Sequence, residues 1–134
     1  MNVMLRTVLL VDDEPDIRTI GAMSLRKVGK LEVSTAASGA EALALAKASP
    51  PDVILLDVMM PGMDGPETLR LLRDDAATAN TPVVFMTAKV LRDEVDRWLS
   101  LGAIGIIRKP FDPLTLPNEL RAICAQSASF NAAR

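Results

Sequence analysis

The chain has no histidine, no tyrosine and a single cysteine among its 134 residues. Without imidazole, histidine-ligated zinc sites and histidine-based catalytic triads are excluded, and any metal must be held by oxygen. With Cys124 alone no internal disulfide can form, and a cytoplasmic location is expected. No apolar run approaches the roughly 20 residues of a membrane span. The opening, Met1-Asn2-Val3-Met4-Leu5-Arg6, leads into a strand pattern and lacks the organisation of a signal peptide. Neither sign of charge dominates: 15 basic and 17 acidic residues leave a net charge of −2. Broad electrostatic binding to nucleic acid is therefore not expected. Internal repeats, low-complexity tracts and long linkers are also missing. One domain over residues 1–126 is expected, with a short, polar, loose tail over 127–134.

What is present is a regular alternation. Short apolar runs near Thr7–Val11, Glu32–Thr35, Val53–Leu56, Val83–Met86 and Ile104–Ile107 read as strands. Most are continuous and rich in Val, Ile and Leu, as parallel strands covered on both faces should be. Glu32-Val33-Ser34-Thr35 is more polar and suits an edge. Between the runs lie helical patterns. The first follows Pro15, spaces Ile17, Ile20, Leu25 and Val28, and stops at Gly29. The second covers Ala40–Ala48 and ends before Pro50-Pro51. The third opens at Asp64-Gly65-Pro66-Glu67, a capping-box pattern that gives Asp64 a structural role. The fourth places Val95, Trp98 and Leu99 on one face. The fifth spaces Leu116, Leu120, Ile123 and Cys124, with Pro113 and Pro117 confining its regular part to the later residues. Strict β-α alternation predicts right-handed crossovers and an α/β fold with a parallel sheet. The expected arrangement is a flavodoxin-like, doubly wound (βα)5 unit with a five-stranded sheet of order 2-1-3-4-5.

In that order strands one and three are neighbours at the point where the connections reverse, and ligands bind beyond their carboxyl ends. The residues at those ends are Asp12, Asp13 and Asp57, with Thr87 and Lys109 ending strands four and five. Each has a plain structural alternative: Asp12 and Asp13 as helix caps, Asp57 as a turn residue, Thr87 as a strand end, Lys109 as a solvated surface lysine. Taken together they describe one crevice. Clustered carboxylates repel: two charges about 4 Å apart cost roughly 4 kcal/mol at an effective dielectric of about 20. A divalent cation relieves this, and Mg²⁺ accepts one or two carboxylates while keeping waters and sharing phosphate oxygens. Three acids, one lysine and one divalent cation sum to neutrality. Such a pocket suits phosphoryl transfer, with Asp57 as nucleophile, Lys109 and the metal offsetting charge, Thr87 donating a hydrogen bond, and small Ala88 leaving an entry path.

Four motifs now stand in order: Val11-Asp12-Asp13-Glu14, Leu56-Asp57-Val58-Met59-Met60-Pro61-Gly62-Met63-Asp64-Gly65, Met86-Thr87-Ala88 and Lys109-Pro110-Phe111. In that order and spacing the chain resembles the receiver domain of two-component response regulators, over roughly Leu5 to Ala125. The resemblance implies direct Mg²⁺ contacts from Asp13, Asp57 and the backbone carbonyl of Met59, with Asp12 acting through water. It implies a histidine kinase or phosphotransfer protein as phosphodonor, or a small acyl phosphate. It also implies a cis Lys109–Pro110 bond, an unknown downstream protein as target, and an output surface on helix four, strand five and helix five. A monomer or weak dimer without an attached output domain is expected. Met59 and Lys89, two residues beyond Asp57 and Thr87, stand where relatives tune the lifetime of the phosphoryl group. Ile106 departs from the pattern. Many relatives carry there an aromatic ring that rotates inward; a β-branched side chain is stiff and has no polar tip.

Two other readings remain. An aspartyl-phosphate phosphatase of the haloacid dehalogenase type would need a second acid where Met59 stands, and a cap domain. A receiver-like module that binds partners independently of phosphorylation would not need the complete set of phosphoryl-transfer residues.

Overall fold

The computed structural model describes residues 4–128 and Phe130. Five strands, β1 (Thr7–Val11), β2 (Glu32–Ala36), β3 (Val53–Asp57), β4 (Val83–Thr87) and β5 (Gly105–Arg108), alternate with α1 (Pro15–Met23), α2 (Gly39–Ala48), α3 (Gly65–Asp74), α4 (Arg92–Ser100) and α5 (Leu116–Gln126). All neighbouring strands pair in parallel, and the order is β2-β1-β3-β4-β5, that of the expected flavodoxin-like arrangement. Every residue of β3 and β4 is buried. Burying one Leu or Ile contributes about 1.5–3 kcal/mol, so these central strands hold the register from which the carboxyl ends emerge. One core cluster joins Leu10, Leu55 and Met86 to Leu25, Leu116 and Leu120. The other joins Leu9, Leu56 and Phe85 to Leu69, Leu72 and Trp98. Alternation of burial along β2 fits its place at the edge.

Several expectations are corrected. The first helix is not one regular helix to Gly29: α1 gives way to a π-helical segment over Ser24–Val28. Its buried face is Gly21, Ala22, Ser24 and Leu25, whereas Ile20 and Val28 are exposed. The reason is close packing on β1: a Cβ at Gly21 would lie 2.8 Å from the Leu10 side chain. The fifth strand starts one residue later than the apolar run, at Gly105, because a Cβ there would meet Ile123 of α5 at 2.5 Å. Beyond α5, Phe130 is buried in the first core cluster; of the expected tail, residues 129 and 131–134 lie outside the described residues. Half of the capping box forms. Asp64 accepts the Glu67 amide at 2.9 Å, but the Glu67 carboxylate turns to Arg70 instead of returning.

The fourth helix differs most. Trp98 is the buried residue of α4, while Leu99 is exposed. The indole stands edge-on to Phe85, with ring centroids 5.5 Å apart and planes at 61°. Its Nε1 is the one buried side-chain polar atom without a hydrogen-bond partner among the described residues. An unmet buried donor costs about 1–3 kcal/mol.

Candidate functional site

The carboxyl ends of β1 and β3 bring Asp12, Asp13 and Asp57 together, Lys109 beyond β5 reaches Asp12 and Asp57, and Thr87 is the last residue of β4. Asp57 is the last residue of β3, and the Val58 amide bonds the Met86 carbonyl, so the chain stays tied to β4 past the carboxylate. The loop beyond it turns at Gly62, whose φ of +73° favours glycine, and re-enters the fold at Gly65. A Cβ at Gly65 would lie 2.5 Å from the Asp57 carbonyl oxygen. Glycine is thus required for α3 to start this close to the strand.

Asp12 is fully buried and Asp57 is 3% exposed. One oxygen from each of Asp12, Asp13 and Asp57 falls within 4.8 Å of the others, so this cluster is able to coordinate a divalent metal. All the donors are carboxylate oxygens, the chemistry of a hard cation. The Lys109 ammonium donates to Asp12 Oδ2 at 2.9 Å and lies 3.4 Å from Asp57 Oδ1. The Lys109–Pro110 peptide bond is cis, as the resemblance implied, and the Lys109 amide bonds the Thr87 carbonyl at 2.9 Å. Asp12 does not cap α1 itself. Its Oδ1 accepts the amide of Glu14, the N-cap residue, at 2.9 Å.

Burial, reinforced by the Asp12 carboxylate, pushes the Asp57 carboxyl up to about 6, against the opposing pull of Lys109 and the Met59 amide. Burial works against the charge of Lys109 too. There the hydrogen bond to Asp12 and the nearby carboxylates prevail, and its pKa lies above the ordinary lysine value.

Thr87 is buried at the end of β4, but its hydroxyl is engaged locally. It donates to the Lys89 carbonyl at 3.0 Å and accepts the Lys89 amide at 3.2 Å. The side chain of Met59 is exposed, and its amide approaches Asp57 Oδ1 at 3.4 Å. Ile106 pairs in register with Phe85 and packs on the Trp98 side of the sheet.

Sequence reasoning missed Arg18. Its guanidinium donates to the Asp12 carbonyl at 2.7 Å and holds the backbone from which two of the three acids project. No side-chain pattern marked it, because its partner is a backbone carbonyl six residues earlier, ahead of α1. Among the described residues no helix is long and apolar enough to cross a membrane.

Comparison with known proteins agrees with this geometry. The family model described as "Response regulator receiver domain" matches residues 8–121. The chain is 43% identical over 117 residues to the response regulator PleD of Caulobacter vibrioides, covering 87% of this chain and 25% of that protein. It is 39% identical over 118 residues to the phosphate regulon transcriptional regulatory protein PhoB of Pseudomonas aeruginosa, covering 88% of this chain and 51% of that protein. The chain thus spans a quarter to a half of the length of these two curated relatives. Among solved structures, the chemotaxis protein CheY4 of Vibrio cholerae aligns with a TM-score of 0.82 at 37% identity, over 90% of this chain and 99% of that one.

Proposed function

We propose that this chain, which belongs to the response regulator receiver domain family, accepts a phosphoryl group on Asp57 and thereby switches a protein-binding surface. The observation that carries the reading is the Asp12, Asp13 and Asp57 cluster closed by Lys109. In the step itself, an Asp57 carboxylate oxygen attacks the phosphorus of a phosphohistidine. The P–N bond breaks, its electron pair and a proton go to the leaving imidazole, and an aspartyl phosphate remains. Lys109 neutralises oxygens of the transferring group, and Thr87 donates its hydroxyl to one of them. Asp13, Asp57 and the Met59 carbonyl would hold Mg²⁺, with Asp12 acting through water. The cation, when bound, offsets charge on the phosphoryl oxygens. Water later attacks the phosphorus and releases phosphate, so the chain turns over no separate substrate. The donor is a histidine kinase or phosphotransfer protein, the output partner is a protein, and the place of action is the cytoplasm.

The test is incubation with Mg²⁺ and a small acyl phosphate, followed by intact-mass spectrometry. One phosphoryl adduct is expected. It should be absent when the metal is chelated and absent in Asp57→Asn. Full labelling of that variant would refute the acceptor assignment. Mg²⁺ binding by calorimetry without any adduct would favour a phosphorylation-independent module.

A further inference from the structure

The two ends of α4 are held very differently. At its C-terminal end the Trp98 carbonyl accepts both the Leu101 and Ala103 amides at 3.1 Å. Arg73 of α3 then donates to the Gly102 carbonyl at 3.3 Å and to the Thr81 carbonyl at 2.8 Å. The indole of Trp98 stands edge-on to Phe85 of β4, in the same buried cluster as Leu69 and Leu72 of α3. At the N-terminal end, Leu91 caps the helix without a side-chain hydrogen bond, and Ala88–Leu91 form no regular structure. Among the described residues, the side-chain hydrogen bonds reaching 88–91 come from Thr87, both of them to Lys89. The hydroxyl that would contact a phosphoryl group is the same hydroxyl that holds this loop. It cannot donate to Lys89 and to a new acceptor at once, because a hydroxyl has one proton.

We propose that Trp98 is the pivot of the switch: when Thr87 releases Lys89, α4 turns about the buried indole, and Nε1 gains a hydrogen-bond acceptor in the turned position. This deepens the phosphoacceptor reading and rests on it. It also explains how a chain with Ile106, and no tyrosine, reports the state of its site. Phe85 and Thr87 lie two residues apart on β4 and so face the same side of the sheet, the side where Trp98 and Ile106 pack. Ile106 offers a stiff wall and Trp98 a large ring with an unmet donor. The unmet donor disfavours the resting position, and an acceptor found elsewhere favours the turned one. A ligand that selects the turned state therefore binds more tightly because of it.

Trp98 is the only tryptophan in the chain, so its fluorescence reports this one ring. The protein is titrated with beryllofluoride in Mg²⁺, with binding followed independently by calorimetry. Emission is expected to move to longer wavelength as the indole becomes hydrogen-bonded, while acrylamide quenching stays as low as at rest. Trp98→Phe keeps a ring against Phe85 but removes the N–H. It should leave the emission experiment silent and weaken beryllofluoride binding about tenfold, the worth of one hydrogen bond in the population balance. The pivot is overturned if calorimetry saturates while wild-type emission stays fixed, if the ring becomes accessible to acrylamide, or if Trp98→Phe binds as tightly as wild type. Failure of the wild type to bind beryllofluoride at all would overturn the phosphoacceptor reading, and the pivot with it.

Discussion

On one side of the crevice, Asp12, Asp57 and Lys109 hold one another at 2.9 and 3.4 Å, and Arg18 fixes the backbone behind them. On the other side, the Thr87 hydroxyl reaches only its own loop, and Trp98 is the one buried side chain of α4. The proposed phosphoryl transfer requires precision of the first wall, because charge stabilisation depends on groups already in place. The proposed switch requires the second wall to change position at small energetic cost, and elements that move are drawn from the weakly held parts of a fold. On the proposed function, chemistry and reporting would share a pocket with opposite mechanical requirements.

The largest effect that would break this comparison is on the first wall. Asp57→Asn should abolish phosphoryl labelling while leaving the fold intact by circular dichroism. Next, Lys109→Met should slow labelling by roughly a hundredfold, as expected on losing one preorganised charge. The same variant should bind Mg²⁺ roughly tenfold or more tightly, since a repelling cation has gone from beside the acids. Calorimetry and labelling rates moving in the same direction would show that Lys109 acts on the metal and not on the phosphoryl group.

A smaller effect is set by the raised Asp57 pKa. In the unfolded chain this carboxyl ionises near its ordinary value of 3.8, and in the folded protein only at about 6. The folded state therefore holds its proton more tightly. The resulting penalty is absent below the unfolded pKa, grows as pH rises to about 6, and is constant above it. Without metal, Asp57→Asn should be more stable than wild type by on the order of 3 kcal/mol at pH 7.5, and the difference should vanish by about pH 3.5. Denaturant melts at a series of pH values read this directly. A gain that did not change with pH would assign it to packing instead of charge.

The smallest effect lies on the second wall. Thr87→Val removes both bonds to Lys89 and should destabilise the protein by only about 0.5–1.5 kcal/mol. Amide exchange should quicken in residues 88–92 and stay unchanged around Asp12. Equal quickening on both sides would erase the contrast between the two walls.

Much of the first wall was legible in the residues. Acids at the ends of apolar runs, separated by helical patterns, have one place to go once the sheet is parallel. Boundaries were less legible: Asp57 and Thr87 prove to be the final strand residues, because pairing with the neighbouring strand continues past the end of the apolar run. Faces of helices were legible only where the buried residues are large. In α1 the sheet-facing residues include Gly21 and Ala22, which carry little hydrophobic signal, so Ile20 and Val28 read as core yet lie exposed. The role of Arg18 rests on reaching a backbone carbonyl, which any sequence provides at every position.

The alternation of short apolar runs and helical patterns by itself determined a parallel α/β sheet, and it put Asp12, Asp13, Asp57, Thr87 and Lys109 at or just beyond the run ends. The parallel sheet follows from local pattern and from the handedness of β-α-β crossovers. Only the tertiary structure decided which charge meets which, as when Lys109 bonds an acid 97 residues away. It alone left the Trp98 N–H unmet and pinned α4 at one end. Distances of a few ångströms between remote side chains depend on how whole elements pack, and no local pattern encodes that.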